Sequence, residues 1–273
     1  MKNVNCYLCG SDVKKLLMEN ITEDYYLELI NPEYKKTKRQ WVACGDCGFV
    51  YQDPQLDSND MQVLYEKFRD SNFRNETPDE YFDRIAFLPD EESENASKVN
   101  RISTNLKDFL NKKGKIMDIG CGGGVFLHTF LSKTSGWTAH GIEPTVAFAE
   151  LAARRLKSDI KTGNYERGIC GKNFDLVILN HVLEHTLDPK KFLEDILDDI
   201  KPGGYLYLEC PHESDFQILP SDHDRFKMQH NWYFGVESFR LLAINAGFEI
   251  VLLEKDWTVR KRNNLVTILK RPE

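Results

Sequence analysis

The sequence predicts an α/β protein: a mostly parallel seven-stranded sheet with an antiparallel last strand, preceded by a small cysteine-rich module. Three observations carry this. From Lys115 onward, short apolar runs alternate with amphipathic stretches, the pattern of βαβ units over a parallel sheet. A glycine turn, Gly120-Cys121-Gly122-Gly123-Gly124, joins one apolar run to the next helix. Two Cys-x-x-Cys-Gly segments near the N-terminus are separated by 34 residues.

The elements follow in order. Residues 1–55 are punctuated by Cys and Gly with no long periodic helix, and form the small module. Residues 56–113 are charged, carry aromatics at Tyr65, Phe68, Phe73, Tyr81, Phe82 and Phe87, and read as a helical linker or lid with a breaker at Pro89. Residues 114–273 form the main domain. Its strands are expected at Lys115–Ile119, Thr138–Glu143, Phe174–Asn180, Tyr205–Cys210, Glu249–Lys255 and Leu265–Lys270, with a weak one near Ile160–Lys161. Asp188 is placed to cap a helix with Pro189 at its first position, and Pro202-Gly203-Gly204 to stop it. A second helix runs from Val236 to Ala246 and ends at Gly247. Only about ten polar residues join the last two strands, too few for a crossover helix, so they should pair antiparallel.

Composition narrows the function. A hydrophobic share of 41% across 273 residues supports one large core and a small second unit. No apolar run approaches the roughly 18–20 residues of a membrane span, and Met1 to Cys9 holds no secretory core, so the expected location is the cytoplasm. Of seven cysteines, four form the two pairs and Cys121, Cys170 and Cys210 are scattered, which suits a reduced compartment. The net charge of −7 disfavours nucleic acid as a partner.

The glycine turn carries the chemistry. It follows a strand ending in Asp118, and glycines are needed where backbone must approach a ligand that any Cβ would block. Glu143 ends the second strand about twenty residues on, where an acid can bind ribose hydroxyls. An acid directly before the loop suits an ammonium group and repels the pyrophosphate of a nicotinamide dinucleotide. Asp118-Ile-Gly-Cys-Gly-Gly-Gly resembles motif I of class I S-adenosylmethionine-dependent methyltransferases, which are Rossmann-like. The run from Phe174 through Asn180-His181 to Glu184-His185 resembles their fourth strand and its loop, and Lys201-Pro-Gly-Gly-Tyr their fifth. The resemblance spans roughly residues 105–270. It implies that Gly120 and Gly122 flank the amino-acid part of the cofactor and that Asp118 orients it. By the same resemblance Glu143 binds the ribose, Asn164 meets the adenine, and Asn180 and His181 line the methionine side.

Cys6, Cys9, Cys44 and Cys47 can present four thiolates to one structural zinc ion, in a zinc-ribbon-like arrangement with no position left for water. A cysteine-rich zinc domain ahead of such a core is similar to the sugar C-methyltransferases. Their His-Glu-His-x-x-Tyr-Phe signature aligns with Met228-Gln229-His230-Asn231-Trp232-Tyr233-Phe234. Gln229 cannot take a proton, which favours a hydroxyl or amine acceptor over carbon. Such an acceptor needs a base titrating near neutrality. Among His181, His185, His212, His223 and His230, the base is expected at His230, then at His212, which follows the fifth strand at the edge where substrates bind. His185 is expected to pack the loop and hydrogen-bond on the cofactor side. The expected activity is methyl transfer to a small, sugar-like acceptor. RNA methylation and an inert cofactor-binding scaffold are the rival readings.

Overall fold

The computed structural model describes residues 1–20, 24–67 and 76–273, which leaves Phe68 and Phe73 outside the described residues. The chain begins with β1 (Lys14–Asn20), α1 (Tyr25–Ile30), β2 (Arg39–Cys44) and β3 (Val50–Gln52). Three helices follow: α2 (Ser58–Lys67), α3 (Pro78–Ala86) and α4 (Glu94–Leu106). The main domain then alternates β4 (Gly114–Ile119), α5 (Val125–Lys133), β5 (Trp137–Glu143), α6 (Val146–Leu156), β6 (Asp159–Thr162), β7 (Phe174–Asn180), α7 (Pro189–Asp199) and β8 (Ile200–Pro211). It closes with β9 (Trp232–Tyr233), α8 (Val236–Asn245), β10 (Glu249–Trp257) and β11 (Asn263–Lys270).

The large sheet has seven strands in the order β10-β11-β8-β7-β4-β5-β6. Helical crossovers make the pairs β4–β5, β4–β7, β5–β6 and β7–β8 parallel. β11 runs antiparallel to both β8 and β10, so one strand is reversed, as the short polar connection required. Both faces of the sheet are covered. Leu176, Val177, Ile178 and Leu179 of β7 are therefore all fully buried, and the strand reads as a continuous apolar run instead of an alternation.

Local signals explain the helix ends. Asp188 accepts a hydrogen bond from the Lys191 N–H, Pro189 occupies the first turn, and Leu193 and Ile196 face the core. That helix ends at Asp199, before the expected Pro-Gly-Gly stop, and β8 runs through Pro202–Gly204. The reason is non-local. Gly203 donates to the Arg271 carbonyl and Arg271 to that of Gly204, so the chain beyond β11 pairs with the turn. The Arg271 guanidinium also donates to the Leu197 carbonyl at 3.0 Å, capping α7.

The smaller sheet, β1-β2-β3-β9, takes its last strand from the insert between β8 and α8, with Val50 opposite Tyr233 and Tyr51 opposite Trp232. A two-residue strand has no periodicity to read, which is why the sequence does not reveal this pairing. Phe49 stacks on Trp232 at 5.8 Å and lies 5.5 Å from Phe234. Cys6 and Cys44 pack in the same apolar cluster as Leu179 and Leu208 of the large sheet. A buried ion pair, Arg39 to Asp24 at 2.7 Å, adds a further tie, because Arg39 also donates to the Phe226 carbonyl in the insert. No described helix is long and apolar enough to cross a membrane.

Candidate functional site

A cavity of about 1100 Å³ opens at the carboxyl ends of β4, β5 and β7. Asp118, Gly120, Gly122, Glu143, Asn164, Asn180 and His181, chosen from the sequence for one ligand, all line it. The turn after β4 is built by glycines in the left-handed region: Gly120 at φ 70°, Gly122 at φ 54° and Gly124 at φ 81°. A Cβ on Gly120 would also stand 2.7 Å from the Val182 side chain, so glycine is required there twice over.

The polar groups around this turn are incompletely satisfied by the protein. Glu143 is spoken for in part, accepting from the N–H groups of Gly122 at 2.9 Å and Thr145 at 3.0 Å. Asp118 Oδ1 and Asn180 Oδ1 are buried with no hydrogen-bond partner. Burial pushes the Asp118 carboxyl well above the usual carboxylate range, Lys98 opposes that rise, and Glu143 adds to it. Two orphaned acceptors beside a glycine turn fit a ligand that brings its own cationic donor, as an α-ammonium group would.

Across the cavity, the loop after β7 presents His181 and His185. His181 sits at φ 54°, an uncommon conformation for a side-chain-bearing residue, and its Nδ1 lies 3.1 Å from Glu184 Oε1. Glu184 is fully buried, and desolvation pushes its carboxyl up to about 8 against the pull of its own backbone N–H and of Arg225. His230 does not line the cavity. It stands behind His185, the ring centroids 4.8 Å apart, and burial holds its imidazole well below the ordinary value, with His185 next in effect. His212 lies elsewhere, in a smaller groove with Cys47 and Glu213, its Nδ1 accepting from the Ser214 N–H at 3.0 Å.

Two lining groups escaped the sequence reading, while His185, expected to pack the loop and hydrogen-bond on the cofactor side, lines the cavity. Lys98 points inward from α4 and pairs with Glu209 at 3.5 Å. Its position four residues before the buried Ile102 was the available signal. Tyr65 meets His185 edge-on at 6.0 Å, with its hydroxyl buried and unpartnered.

The four N-terminal cysteines converge, all sulfurs within 4.8 Å of one another. Cys6 and Cys47 approach to 3.5 Å, as do Cys9 and Cys44. Sulfurs around one tetrahedral zinc stand roughly 3.8 Å apart, so the set fits that ion. Each knuckle is closed the same way: Gly10 donates to the Cys6 carbonyl and Gly48 to that of Cys44, both glycines at positive φ.

Known proteins are similar to part of this chain. The tRNA U34 carboxymethyltransferase of Desulfotalea psychrophila is 30% identical over 48% of this chain and 43% of its own length. A ubiquinone biosynthesis O-methyltransferase of Coxiella burnetii is 28% identical over 46% of this chain and 62% of its own length. The chain thus spans less than two thirds of either relative. Among solved structures, magnesium protoporphyrin IX methyltransferase from Synechocystis with bound SAM superposes with a TM-score of 0.55 at 14% identity, over 80% of this chain and 99% of that one. That likeness concerns the fold. A family model described as a methyltransferase domain matches residues 83–253, more than half of the 273, and the chain belongs to that family.

Proposed function

We propose that the protein transfers a methyl group from S-adenosylmethionine to a hydroxyl or amine of a small, sugar-like acceptor, and that a structural zinc ion on Cys6, Cys9, Cys44 and Cys47 braces the acceptor side. The observation that carries the cofactor reading is the pair of orphaned acceptors, Asp118 Oδ1 and Asn180 Oδ1, beside the glycine turn. In this reading Asp118 and Asn180 receive the α-ammonium and the turn of Gly120 and Gly122 admits the amino-acid backbone. Glu143 takes the ribose hydroxyls on its remaining lone pairs, and Asn164 the adenine.

Methyl transfer is an in-line displacement at a sulfonium that leaves as a neutral thioether, so the protein's work is alignment, water exclusion and removal of the acceptor proton. The proton is lost at the cluster of His185 and His230, where His185 presents its ring to the cavity and His230 supports it. His212 stands outside that cavity and is the second candidate only for an acceptor reaching the smaller groove. The sugar-like acceptor draws its support from the charged groups Arg84, Glu92, Glu94, Asp224 and Arg262, which line the cavity together with the apolar Ile85, Leu88 and Val259. Calorimetry with S-adenosylhomocysteine, followed by methyl incorporation across nucleotide-linked sugars and an unmodified tRNA, tests the reading. Binding at micromolar affinity with turnover on a sugar supports it, whereas turnover on RNA alone replaces the acceptor and absence of binding removes the cofactor.

A further inference from the structure

Glu184, His185 and His230 come from two segments 45 residues apart in sequence, yet one ligand atom from each lies within 4.8 Å of the other two. Nothing in the cofactor reading uses Glu184. It is fully buried, its Oε1 meets His181 Nδ1, and its Oε2 has no partner. The unpartnered Oε2 can accept a bond that the protein does not supply, and a cation bound there would hold the buried group as a carboxylate.

The two imidazoles are set to supply the rest of a coordination shell. His185 Nδ1 lies 2.9 Å from the Gln229 carbonyl oxygen, and His230 Nδ1 lies 2.7 Å from that of Arg225. A carbonyl can only accept, so each Nδ1 carries the hydrogen and each Nε2 is the lone-pair nitrogen of the neutral ring. This is the outer-shell arrangement that orients metal-binding histidines. The rings stand 4.8 Å apart between centroids, and one nitrogen of each lies within 4.8 Å of the other and of a Glu184 oxygen. Asn231 locks the two segments together: its N–H donates to the Glu184 carbonyl at 2.8 Å and its side-chain amide to that of His185 at 3.1 Å.

We infer that Glu184, His185 and His230 form a divalent-cation site of two nitrogens and one carboxylate, facing the acceptor half of the cavity. The inference rests on the methyltransferase reading for its purpose but not for its geometry. Donors of one zinc ion stand roughly 3.3–3.5 Å apart in a tetrahedron, so the three side chains close in by about an ångström on loading. Three protein ligands leave a coordination position open, unlike the four-cysteine site. The position lies on the side of His185, which lines the cavity. With the cation bound, an acceptor hydroxyl there would be more acidic. Its proton would pass to solvent, because the cation holds the lone pair of His185, while the electron pair stays on the oxygen that takes the methyl group and the sulfonium leaves as the neutral thioether.

The test is calorimetric titration of Zn2+ into the full, tag-free chain carrying its native metal, with X-ray absorption of the product. One equivalent beyond the cysteine-bound ion is expected, with nitrogen and oxygen neighbours. In His230→Ala and Glu184→Gln that equivalent should weaken at least about 10–100-fold, the range for loss of even an outer-shell support. S-adenosylhomocysteine binding by the same variants confirms that they fold. Lack of a further equivalent in the parent, a sulfur-only spectrum, or an affinity untouched by both substitutions overturns the site. Failure of the parent to bind S-adenosylhomocysteine while zinc still binds would instead remove the cofactor reading and leave the cation site standing.

Discussion

The two loops that face each other across the cavity are built on different principles. The turn after β4 is local: five consecutive residues fix it, three of them glycines at positive φ, and its acid comes from the strand directly before. The loop after β7 is held from a distance. Its carbonyls at Glu184, His185 and Thr186 receive the Asn231 N–H, the Asn231 amide and the Trp232 indole N–H, at 2.8, 3.1 and 2.6 Å. Trp232 in turn belongs to the sheet that carries the cysteine knuckles. A common ligand can be bound by a turn written in consecutive residues, whereas the acceptor side is free to vary with the insert that braces it.

The largest expected effect separates the loops chemically. His185→Ala should lower turnover by about 10²–10⁴-fold, the size of a lost proton-transfer group, and His230→Ala, which removes only its support, by less, with S-adenosylhomocysteine affinity nearly unchanged in His230→Ala by calorimetry. A parallel loss of cofactor affinity would mean that the loops are one unit and the contrast fails. Next is the brace itself. Asp24→Ala removes the buried counter-charge of Arg39, which is 1% exposed, and should cost about 3–5 kcal/mol in urea unfolding, as breaking a buried pair does. The same substitution should slow acceptor methylation more than it weakens cofactor binding, because Arg39 reaches the insert at Phe226 and not the β4 turn. Third, Asp118→Ala and Glu143→Ala should each weaken S-adenosylmethionine binding by about 1.5–3 kcal/mol, one charge-assisted hydrogen bond apiece. Unaltered affinity in both would move the cofactor out of this end of the cavity.

What the sequence made legible follows the same division. The seven-stranded sheet with its reversed strand was readable because apolar runs, helix caps and connection lengths are local signals. Asp118, Gly120, Gly122 and Glu143, singled out on local pattern, line one cavity with Asn164, Asn180 and His181, which only the family resemblance suggested. The convergence of the four cysteines was legible from spacing alone. The acceptor side was not. His185 and His230 are 45 residues apart, and their approach depends on Asn231 and on the two-residue β9, neither of which has a periodic or compositional signature. Lys98 was hidden for a different reason: a lysine on an amphipathic helix reads as solvated until the buried carboxylate opposite it, Glu209, is known.

The smallest effect concerns the stability of the β4 turn without its ligand. Burial raises the Asp118 carboxyl above its value in the unfolded chain, and Lys98 only partly opposes this. Such a group adds stability that is fully present below the unfolded value, near 4, and is lost as pH rises toward the folded one. The cofactor-free protein should therefore lose stability from pH 4 upward on this account, by about 1.4 kcal/mol for each unit of the rise that is crossed. Asp118→Asn keeps the shape and cannot ionise, so the ligand-free variant should be at least as stable as the parent at pH 7.5 and no more stable at pH 4. Bound S-adenosylhomocysteine should reverse the order at pH 7.5, because its ammonium group compensates the carboxylate of the parent and finds only a neutral amide in the variant. Thermal unfolding at the two pH values, with and without the ligand, reads all four states. A variant less stable than the parent in the ligand-free state at pH 7.5 would show that Asp118 is already compensated within the protein, and the β4 turn would then be a finished structural element like the knuckles instead of one completed by its ligand.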